Sequence, residues 1–255
     1  MTAPFHVLIT GASSGIGESL ALEYAQAGVT LSLSGRDGTR LAAVVAACRA
    51  RGATVDGAVI DVADRDVMAD WVIVRERTAP LDLVIANAGI SGGTSGAEAD
   101  AGAQAREIFA INLDGVLNTV LPALGPMRAR KRGHVALMSS LASFRGMGGA
   151  PAYAASKAAV RVWGEGLRGV LAPDGIAVSV ICPGFVVSRM TAVNRFPMPF
   201  LLDTPRAARL VRKGLDARRG RIAFPWPTYL AVWALAAMPD WLAARLTRNV
   251  PRKDG

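Results

Sequence analysis

The sequence predicts an α/β fold in which one doubly wound parallel sheet of about seven strands carries helices on both faces. Three observations support this prediction. Short apolar runs alternate with longer amphipathic stretches along most of the chain. A length of 255 residues suits a single domain with a large core, and an apolar share of 51% is that of a compact globular protein.

The elements follow one another in strand-helix order. Buried strands are predicted over residues 5–10, 31–34, 54–60, 81–86, 134–138 and 177–181. Helices are predicted over residues 16–27, 38–51, 64–78, 100–127 and 152–172. This alternation implies parallel pairing with right-handed crossovers.

The regular alternation stops beyond Pro183. Residues 185–202 mix aromatics, methionines and prolines, which is typical of a flap over a site. A basic helix is predicted over 204–219, a last strand over 221–224, and one or two helices over 228–246 with an interruption at Pro239.

The net charge of +9 is concentrated at one end of the chain. Residues 189–255 hold thirteen Lys or Arg against four Asp or Glu, so the whole excess lies there. The rest of the chain is neutral, and no nucleic-acid recognition motif accompanies the basic end. This pattern argues against nucleic-acid binding and fits an anionic ligand or lipid surface. Cys48 and Cys182 lack metal spacing and the N-terminus lacks a signal-peptide pattern, which favours a cytoplasmic protein.

The glycine-rich turn after the first predicted strand indicates a phosphate site. Glycines let a turn bring its N–H groups against a pyrophosphate, while the positive end of the next helix faces the charge. Strand-to-helix geometry alone can also require glycine. The candidate phosphate ligands are Gly11, Ser13, Ser14, Gly15, Ile16 and Gly17.

The spacing Thr-Gly-x-x-x-Gly-Ile-Gly resembles the phosphate loop of the short-chain dehydrogenase/reductase family, whose members have a Rossmann-type fold. Asp61-Val62 after the third strand and Asn87-Ala88-Gly89 after the fourth agree with the same family. The resemblance implies that the first pair contacts the adenine ring and that the second segment shapes the cofactor cleft. The ends of adjacent parallel strands are where such sheets bind ligands.

The end of the second strand bears on the choice of dinucleotide. Enzymes that prefer NAD usually place a carboxylate there for the ribose hydroxyls, and here the aligned residue is Gly35. Arg36 follows it and could pair with a 2′-phosphate, which favours NADP(H). If the strand ends later, Asp37 becomes the ribose ligand and NAD(H) is preferred.

A tyrosine, a lysine and a strand-end serine form the candidate catalytic set. Tyr153 and Lys157 are four residues apart in a predicted helix, so both can face one cleft. A nearby cation would lower the phenol pKa from about 10. The resemblance implies that Tyr153 transfers the proton, that Lys157 lowers its pKa and holds the nicotinamide ribose, and that Ser140 donates to the substrate oxygen, with Ser139 as the alternative.

Three further residues match the family, and a fourth, Ser188, departs from it but keeps a hydroxyl. Asn112 stands where the family keeps a water-linked proton path to the lysine, although a helix asparagine can instead bond its own backbone. Pro183 and Gly184 match the turn beside the nicotinamide, and Ser188 stands where a threonine commonly touches the carboxamide. The two histidines, His6 and His134, are expected to be structural, and no metal site is predicted.

The apolar stretch 222–238 leaves two interpretations open. An uninterrupted helix could begin only near Thr228 and would be too short to cross a bilayer. The stretch either lines the substrate pocket or a subunit contact, or residues 222–248 rest in a membrane interface beside neighbouring arginines.

The hypothesis from the sequence is a single dinucleotide-binding catalytic domain over 1–255, with a substrate lid at 185–220 and a variable C-terminal end at 221–255. It would transfer a hydride between NADP(H) and an apolar alcohol or ketone, with Tyr153 handling the proton. A non-catalytic redox-sensing module and an NAD-preferring dehydrogenase of the same fold are the alternatives. We expect a cytoplasmic homodimer or homotetramer that does not bind nucleic acid.

Overall fold

Seven parallel strands form one sheet in the computed structural model, which describes residues 6–92, 101–146, 148–192, 194 and 196–247. The strands are His6–Ile9 (β1), Thr30–Gly35 (β2), Thr54–Val59 (β3), Leu83–Ala86 (β4), Gly133–Met138 (β5), Ile176–Pro183 (β6) and Arg221–Phe224 (β7). Residue 5 of the first predicted strand, residue 100 of the fourth predicted helix, residues 193 and 195 of the predicted lid and residues beyond 247 lie outside the described residues.

The strand order is β3-β2-β1-β4-β5-β6-β7, so the sheet reverses its winding direction between β1 and β4. In open parallel sheets a ligand crevice forms outside the carboxyl ends of the strands at such a reversal. This topology confirms the predicted Rossmann-type fold, and each predicted strand lies within two residues of the observed one.

Helices cover both faces of the sheet. They are Gly15–Tyr24 (α1), Gly38–Ala50 (α2), Arg65–Thr78 (α3), Ala101–Phe109 (α4), Gly115–Ala129 (α5), Pro151–Leu171 (α6), Arg189–Ala192 (α7), Thr204–Asp216 (α8), Trp226–Ala237 (α9) and Asp240–Thr247 (α10). Successive residues of β1 point into opposite layers: Val7 and Ile9 pack with α1, α2 and α8, whereas Leu8 packs with α3, α5 and α6. Apolar side chains are fully buried between the sheet and the helices on each face, so the fold is a three-layer sandwich of helices, sheet and helices.

The helix predicted over 100–127 is interrupted. A π-helical segment, Ala110–Asp114, joins α4 to α5. Residues 102–129 form one run that is long and apolar enough by composition to cross a membrane, but half of its most apolar window is buried inside the protein, as in a core helix.

The C-terminal quarter completes the sheet edge. Val186 and Leu202 form an isolated parallel bridge, and α8 buries one apolar face against α1 and β7. The role of 185–220 as a substrate lid stays a prediction. Helix α9 begins at Trp226, so the expected start near Thr228 was wrong, because proline at position 227 is compatible with the first turn of a helix.

Candidate active site

The phosphate loop is shaped by glycines that no other residue could replace without strain. Gly11 and Gly15 have φ angles of +67° and +61°, in the region that disfavours a side chain. A Cβ on Gly11 would lie 2.8 Å from the Ala88 Cα, and one on Gly17 would collide with the Gly11 carbonyl oxygen. The loop therefore packs directly on the end of β4.

Asn87 and Thr10 fix the loop to that strand. The Thr10 hydroxyl oxygen accepts hydrogen bonds from the Asn87 and Ala88 backbone N–H groups at 3.1 and 3.2 Å. The Asn87 side-chain amide donates to the Thr10 carbonyl at 2.9 Å. The segment Asn87-Ala88-Gly89 thus lies at the crevice, where the sequence placed it.

The amino end of α1 faces this crevice. Ser14 precedes the helix in extended backbone and its side chain makes no capping hydrogen bond. Ile16 and Ser14 are partly exposed, whereas Ser13 is nearly buried beside Gly35. Unpaired N–H groups in the first turn of a helix attract an anion. The loop can therefore bind a pyrophosphate.

Gly35 ends β2 at a point of close approach. A Cβ there would lie 2.8 Å from the Ser13 hydroxyl oxygen, so no carboxylate fits at this position without moving the phosphate loop. The next residue, Arg36, has a side chain that is 52% exposed. Its Nη1 lies 3.8 Å from Asp61 Oδ2 and 4.0 Å from Glu107 Oε1, which brings it to the mouth of the predicted adenine site.

Asp37 has a structural task. Its carboxylate caps α2 by accepting from the Arg40 backbone N–H at 2.9 Å, and it pairs with the Arg40 guanidinium at 2.8 Å. Asp37 lies beyond the end of β2, as the alignment on Gly35 requires.

Asp61 and Val62 follow β3 and behave differently from each other. The Asp61 carboxylate is about half exposed and accepts from the Ala63 N–H at 3.0 Å. The Val62 side chain is buried against Gly115, and its carbonyl accepts from the Asn118 side chain at 3.0 Å. Only the Asp61 side chain is accessible to a ligand, whereas Val62 fixes the backbone.

Tyr153 and Lys157 lie one turn apart on α6, and the Lys157 Nζ is 5.9 Å from the centre of the Tyr153 ring. Lys157 is almost wholly buried and its Nζ donates to the Met138 carbonyl at 3.0 Å, at the end of β5. Burial lowers the pKa of Lys157 to about 8. The helix therefore presents both groups at the end of β5.

The pKa of Tyr153 departs from the expected direction. Burial raises it above its usual value, and a hydrogen bond with Ser140 acts in the opposite sense. Desolvation of the phenolate exceeds any effect of the lysine, whose ammonium is directed at the Met138 carbonyl. That Lys157 lowers this pKa stays a prediction.

The two serines at the end of β5 have separate roles. The Ser139 hydroxyl donates to the Lys157 carbonyl at 2.7 Å and ties the strand to α6. Ser140 is partly exposed, accepts from the Ala142 N–H at 3.1 Å and lies near enough to Tyr153 to act on its pKa. Ser140 rather than Ser139 is thus placed to contact a substrate.

Asn112 occupies the π-helical segment and is fully buried. Its amide accepts from the Ile90 N–H at 2.8 Å and donates to the Ile90 carbonyl at 2.9 Å, so it clamps the chain after β4. It also donates to the Ser156 hydroxyl at 3.0 Å, and Ser156 donates to the Tyr153 carbonyl at 2.8 Å. Ser156 is a site residue that sequence reasoning missed, although it directly precedes Lys157.

Gly89 holds the centre of the arrangement open. A Cβ there would lie 3.0 Å from Asn112 Oδ1 and 3.1 Å from Lys157 Nζ. These distances show that the loop after β4, the π-helical segment and α6 converge on one point. The predicted residues from three separate motifs are therefore neighbours.

The turn after β6 closes the crevice from the other side. Gly184 donates to the Phe224 carbonyl at 2.7 Å directly after Pro183. Ser188 caps the short helix α7 by accepting from the Thr191 N–H at 3.3 Å, and its Cβ would lie 3.7 Å from a Cβ on Gly15. Thr191, which the sequence analysis did not select, donates to the Val186 carbonyl at 2.8 Å and holds this turn.

The histidines lie elsewhere. His6 bonds the Ser32 hydroxyl at 2.9 Å and His134 bonds the Ser179 hydroxyl at 2.9 Å, both at the amino ends of strands. Within the described ranges, no group of three or more His, Cys, Asp or Glu side chains could hold a metal ion.

Comparisons with known proteins agree with this geometry. Residues 5–197 match the model of the short chain dehydrogenase family. An uncharacterized oxidoreductase of Myxococcus xanthus is 42% identical over 95% of this chain and 96% of its own, and one of Mycobacterium tuberculosis is 35% identical over the same shares. A short-chain dehydrogenase of Sphingobium yanoikuyae in complex with NADPH superposes with a TM-score of 0.80, at 26% identity over 99% of this chain and 98% of the other.

Proposed function

The chain belongs to the short-chain dehydrogenase family, and on that premise we propose that it is an NADP(H)-preferring oxidoreductase acting on an apolar alcohol or ketone. One observation carries the catalytic part of the proposal. Tyr153 lies near Ser140 and one helical turn from Lys157, at the carboxyl edge of the sheet beside the phosphate loop. That set of groups suits proton transfer to or from an oxygen next to a bound dinucleotide.

The residues present fit a dinucleotide. The phosphate loop opens onto the amino end of α1, and Gly11 and Gly17 leave it without bulky side chains. Gly89 leaves space beside Lys157. We assign the pyrophosphate to this loop and the nicotinamide ribose to Tyr153 and Lys157. When bound, the cofactor supplies or accepts a hydride at the nicotinamide ring.

The proton chemistry follows from the directions of the two pKa values. Burial raises the pKa of Tyr153, so the hydroxyl carries its proton at neutral pH and can donate it to a carbonyl oxygen. Ser140 orients that oxygen by a second hydrogen bond. Lys157, with its pKa lowered to about 8, can exchange a proton near neutral pH and resupply Tyr153.

Arg36 and Arg40 support the preference for NADP(H). The Arg36 ion pairs to Asp61 and Glu107 are long, so a phosphate can compete for this guanidinium. Asp37 is engaged with Arg40 and α2, and Gly35 leaves no room for a carboxylate that would bind the ribose. Two guanidinium groups near the ribose favour a cofactor with the extra phosphate.

An apolar substrate is supported by the segment after Gly184. Val187, Phe200 and Leu201 are largely exposed there, and Phe185 packs edge-to-face on Phe196 at 6.0 Å. Exposed apolar side chains beside a polar catalytic set are what an apolar ligand would cover.

We further propose a cytoplasmic protein that assembles as a homodimer or homotetramer. The two buried cysteines are free, and exposed apolar residues on α5 and α6, Leu121, Val162 and Val170, offer a subunit contact. Light scattering of the purified protein measures the subunit number.

A fluorescence titration with NADPH and NADH tests the cofactor, and absorbance assays with a panel of ketones and alcohols test the reaction. We expect NADPH to bind about ten times more tightly, as one charge-assisted phosphate contact allows. Equal affinity would refute the role given to Arg36, and no turnover with any substrate despite tight NADPH binding would favour a redox-sensing module.

A further inference from the structure

Helix α9 shows an apolar stripe to solvent. Trp226, Leu230 and Trp233 lie on one side of the helix and are 71%, 51% and 55% exposed. Trp241 on α10 is also 71% exposed. These four residues are called the tryptophan face below. The helix sequence from Trp226 to Ala237 holds no charged residue.

The opposite side of α9 holds the helix to the protein. Tyr229 and Val232 pack on a small cluster with Leu141 and Cys182, and the Tyr229 ring meets Phe144 edge-to-face at 5.5 Å. Helix α9 is thus packed against the protein along its other side, so the exposure of the tryptophan face does not come from an undocked helix. An exposed apolar stripe of this kind usually marks a contact surface.

Basic side chains lie along the sheet edge on which α9 packs. Tyr229 lines a groove of about 180 Å³ along β7 together with Leu210, Arg219 and Arg221. Leu210 is four residues from Arg206 and three from Lys213 on α8, so these exposed residues share a stripe beside the groove. The groove therefore places Arg219 and Arg221 beside Tyr229 of α9, with Arg221 also paired to Glu165.

We propose that the tryptophan face docks onto a bilayer of anionic phospholipid. Charge decides between this partner and a second copy of the chain. Residues 189–255 hold thirteen basic against four acidic residues, so two copies meeting here would bring like charges together, whereas anionic headgroups attract them. Tryptophan is also enriched at the boundary between headgroups and acyl chains.

The docked helix lies in the interface and does not span the membrane. Its twelve residues extend about 18 Å, against a hydrocarbon core of about 30 Å. Contact therefore involves Trp226, Leu230 and Trp233 along one side, with Arg206 and Lys213 facing the headgroups.

This surface adjoins the candidate active site. Phe224, which precedes α9 by two residues, pairs with Pro183 at the carboxyl edge of the sheet. Asp240 at the start of α10 forms an ion pair with Arg145, and Tyr229 contacts Phe144, both in the loop after Ser140. On the proposed function, an apolar substrate dissolved in the bilayer would enter beside this loop, but the docking itself does not depend on that function.

Vesicle flotation tests the docking with the full-length protein. We expect wild type to bind vesicles of phosphatidylcholine with 30% phosphatidylglycerol about ten times more tightly than pure phosphatidylcholine, with binding weakened by added salt. Trp226→Ser/Trp233→Ser should abolish binding, and Arg206→Glu/Lys213→Glu should weaken it about tenfold.

Matched controls lie on α3. Val67→Ser/Val74→Ser removes two exposed apolar residues at the same seven-residue spacing, and Arg65→Glu/Arg77→Glu makes the same charge change. Both should bind vesicles like wild type, and NADPH titration reports whether each variant is folded. No vesicle binding by wild type would overturn the proposal. The proposal would also be overturned if Trp226→Ser/Trp233→Ser still bound the vesicles, or if its only change were a smaller oligomer.

Discussion

Helices α6 and α9 each follow the carboxyl edge of the sheet, yet α6 buries polar side chains whereas α9 exposes apolar ones. Helix α6 buries Ser156 and Lys157 at 0% and 3% exposure, whereas α9 buries none of its apolar residues although it has no charge. Burying a polar group is costly unless a partner or a task justifies it, and exposing an apolar stripe is unfavourable without a cover. We therefore interpret these departures from the inside-outside rule as the proposed chemical site on α6 and the proposed contact surface on α9.

Removing the Tyr153 hydroxyl should have the largest effect. We expect Tyr153→Phe to lower kcat by about 100- to 10,000-fold, the contribution typical of a positioned acid or base. NADPH affinity should fall by no more than about tenfold, the effect of one lost hydrogen bond to the ribose, because the phosphate loop is intact. Steady-state kinetics and a fluorescence titration measure the two quantities, and a variant with wild-type kcat would remove α6 from the catalytic account.

The burial of Lys157 should make the free energy of unfolding depend on pH. Its folded pKa of about 8 lies below the usual lysine value of 10.5, so the unfolded chain binds more protons between these pH values, and the stability due to this group rises with pH. The difference in free energy of unfolding between wild type and Lys157→Met should therefore increase by up to about 3 kcal/mol from pH 8 to 10.5.

Taking the difference is necessary because the pKa values of Cys48 and Tyr153 are raised by burial, which makes stability fall over the same alkaline range in both proteins. Chemical denaturation at several pH values gives the measurement. A difference that is independent of pH would show that the Lys157 ammonium is not desolvated.

The two serines of β5 should separate activity from stability. Ser140→Ala should lower kcat about tenfold or more with little change in stability, since it removes a donor to the substrate oxygen. Ser139→Ala should cost about 1 kcal/mol of stability by leaving the Lys157 carbonyl without its donor, with a smaller effect on kcat. The reverse pattern would exchange their roles.

Arg36→Ala should change cofactor preference. We expect NADPH affinity to fall about tenfold, roughly 1.4 kcal/mol, while NADH affinity stays within about twofold. Arg77→Ala, which removes an exposed arginine on α3, is the matched control. Equal losses for both cofactors would mean that Arg36 contacts a part that they share.

The smallest effect should come from α9 in solution. Trp226→Ser/Trp233→Ser leaves Tyr229 and Val232 packed, so the melting temperature and kcat with a soluble substrate should stay within experimental error of wild type. A loss of several degrees in Tm would show that the exposed face is part of the core and would undermine its comparison with α6.

Motif residues could be predicted from sequence because each acts through local geometry. The glycine loop and the spacing of Tyr153 and Lys157 depend on turn and helix periodicity alone, and the structure places them together. The close approach of Gly35 to Ser13 could not be predicted, because it joins two loops that are separate in sequence. The raised pKa of Tyr153 was missed for a similar reason, since desolvation depends on the surrounding fold.

The break in helix 100–127 also escaped the sequence pattern. The apolar periodicity continues through residues 110–114, and nothing in it predicts that the backbone there winds more widely. Ser156 and Thr191 were overlooked because small polar residues are common on helices and in turns, and only their partners Asn112 and Val186 show what they hold.

The π-helical segment sets the rotational phase between α4 and α5. Each residue of a regular helix advances the face by about 100°, so deleting one residue from Ala110–Asp114 would turn one helix against the other by that amount. Either the core side chains of α5 or Asn112 would then point away from their partners. The wide turn therefore accommodates one more residue than an α-helical turn. This lets one continuous helical run direct Asn112 towards the candidate site and the apolar side chains of α5 towards the core.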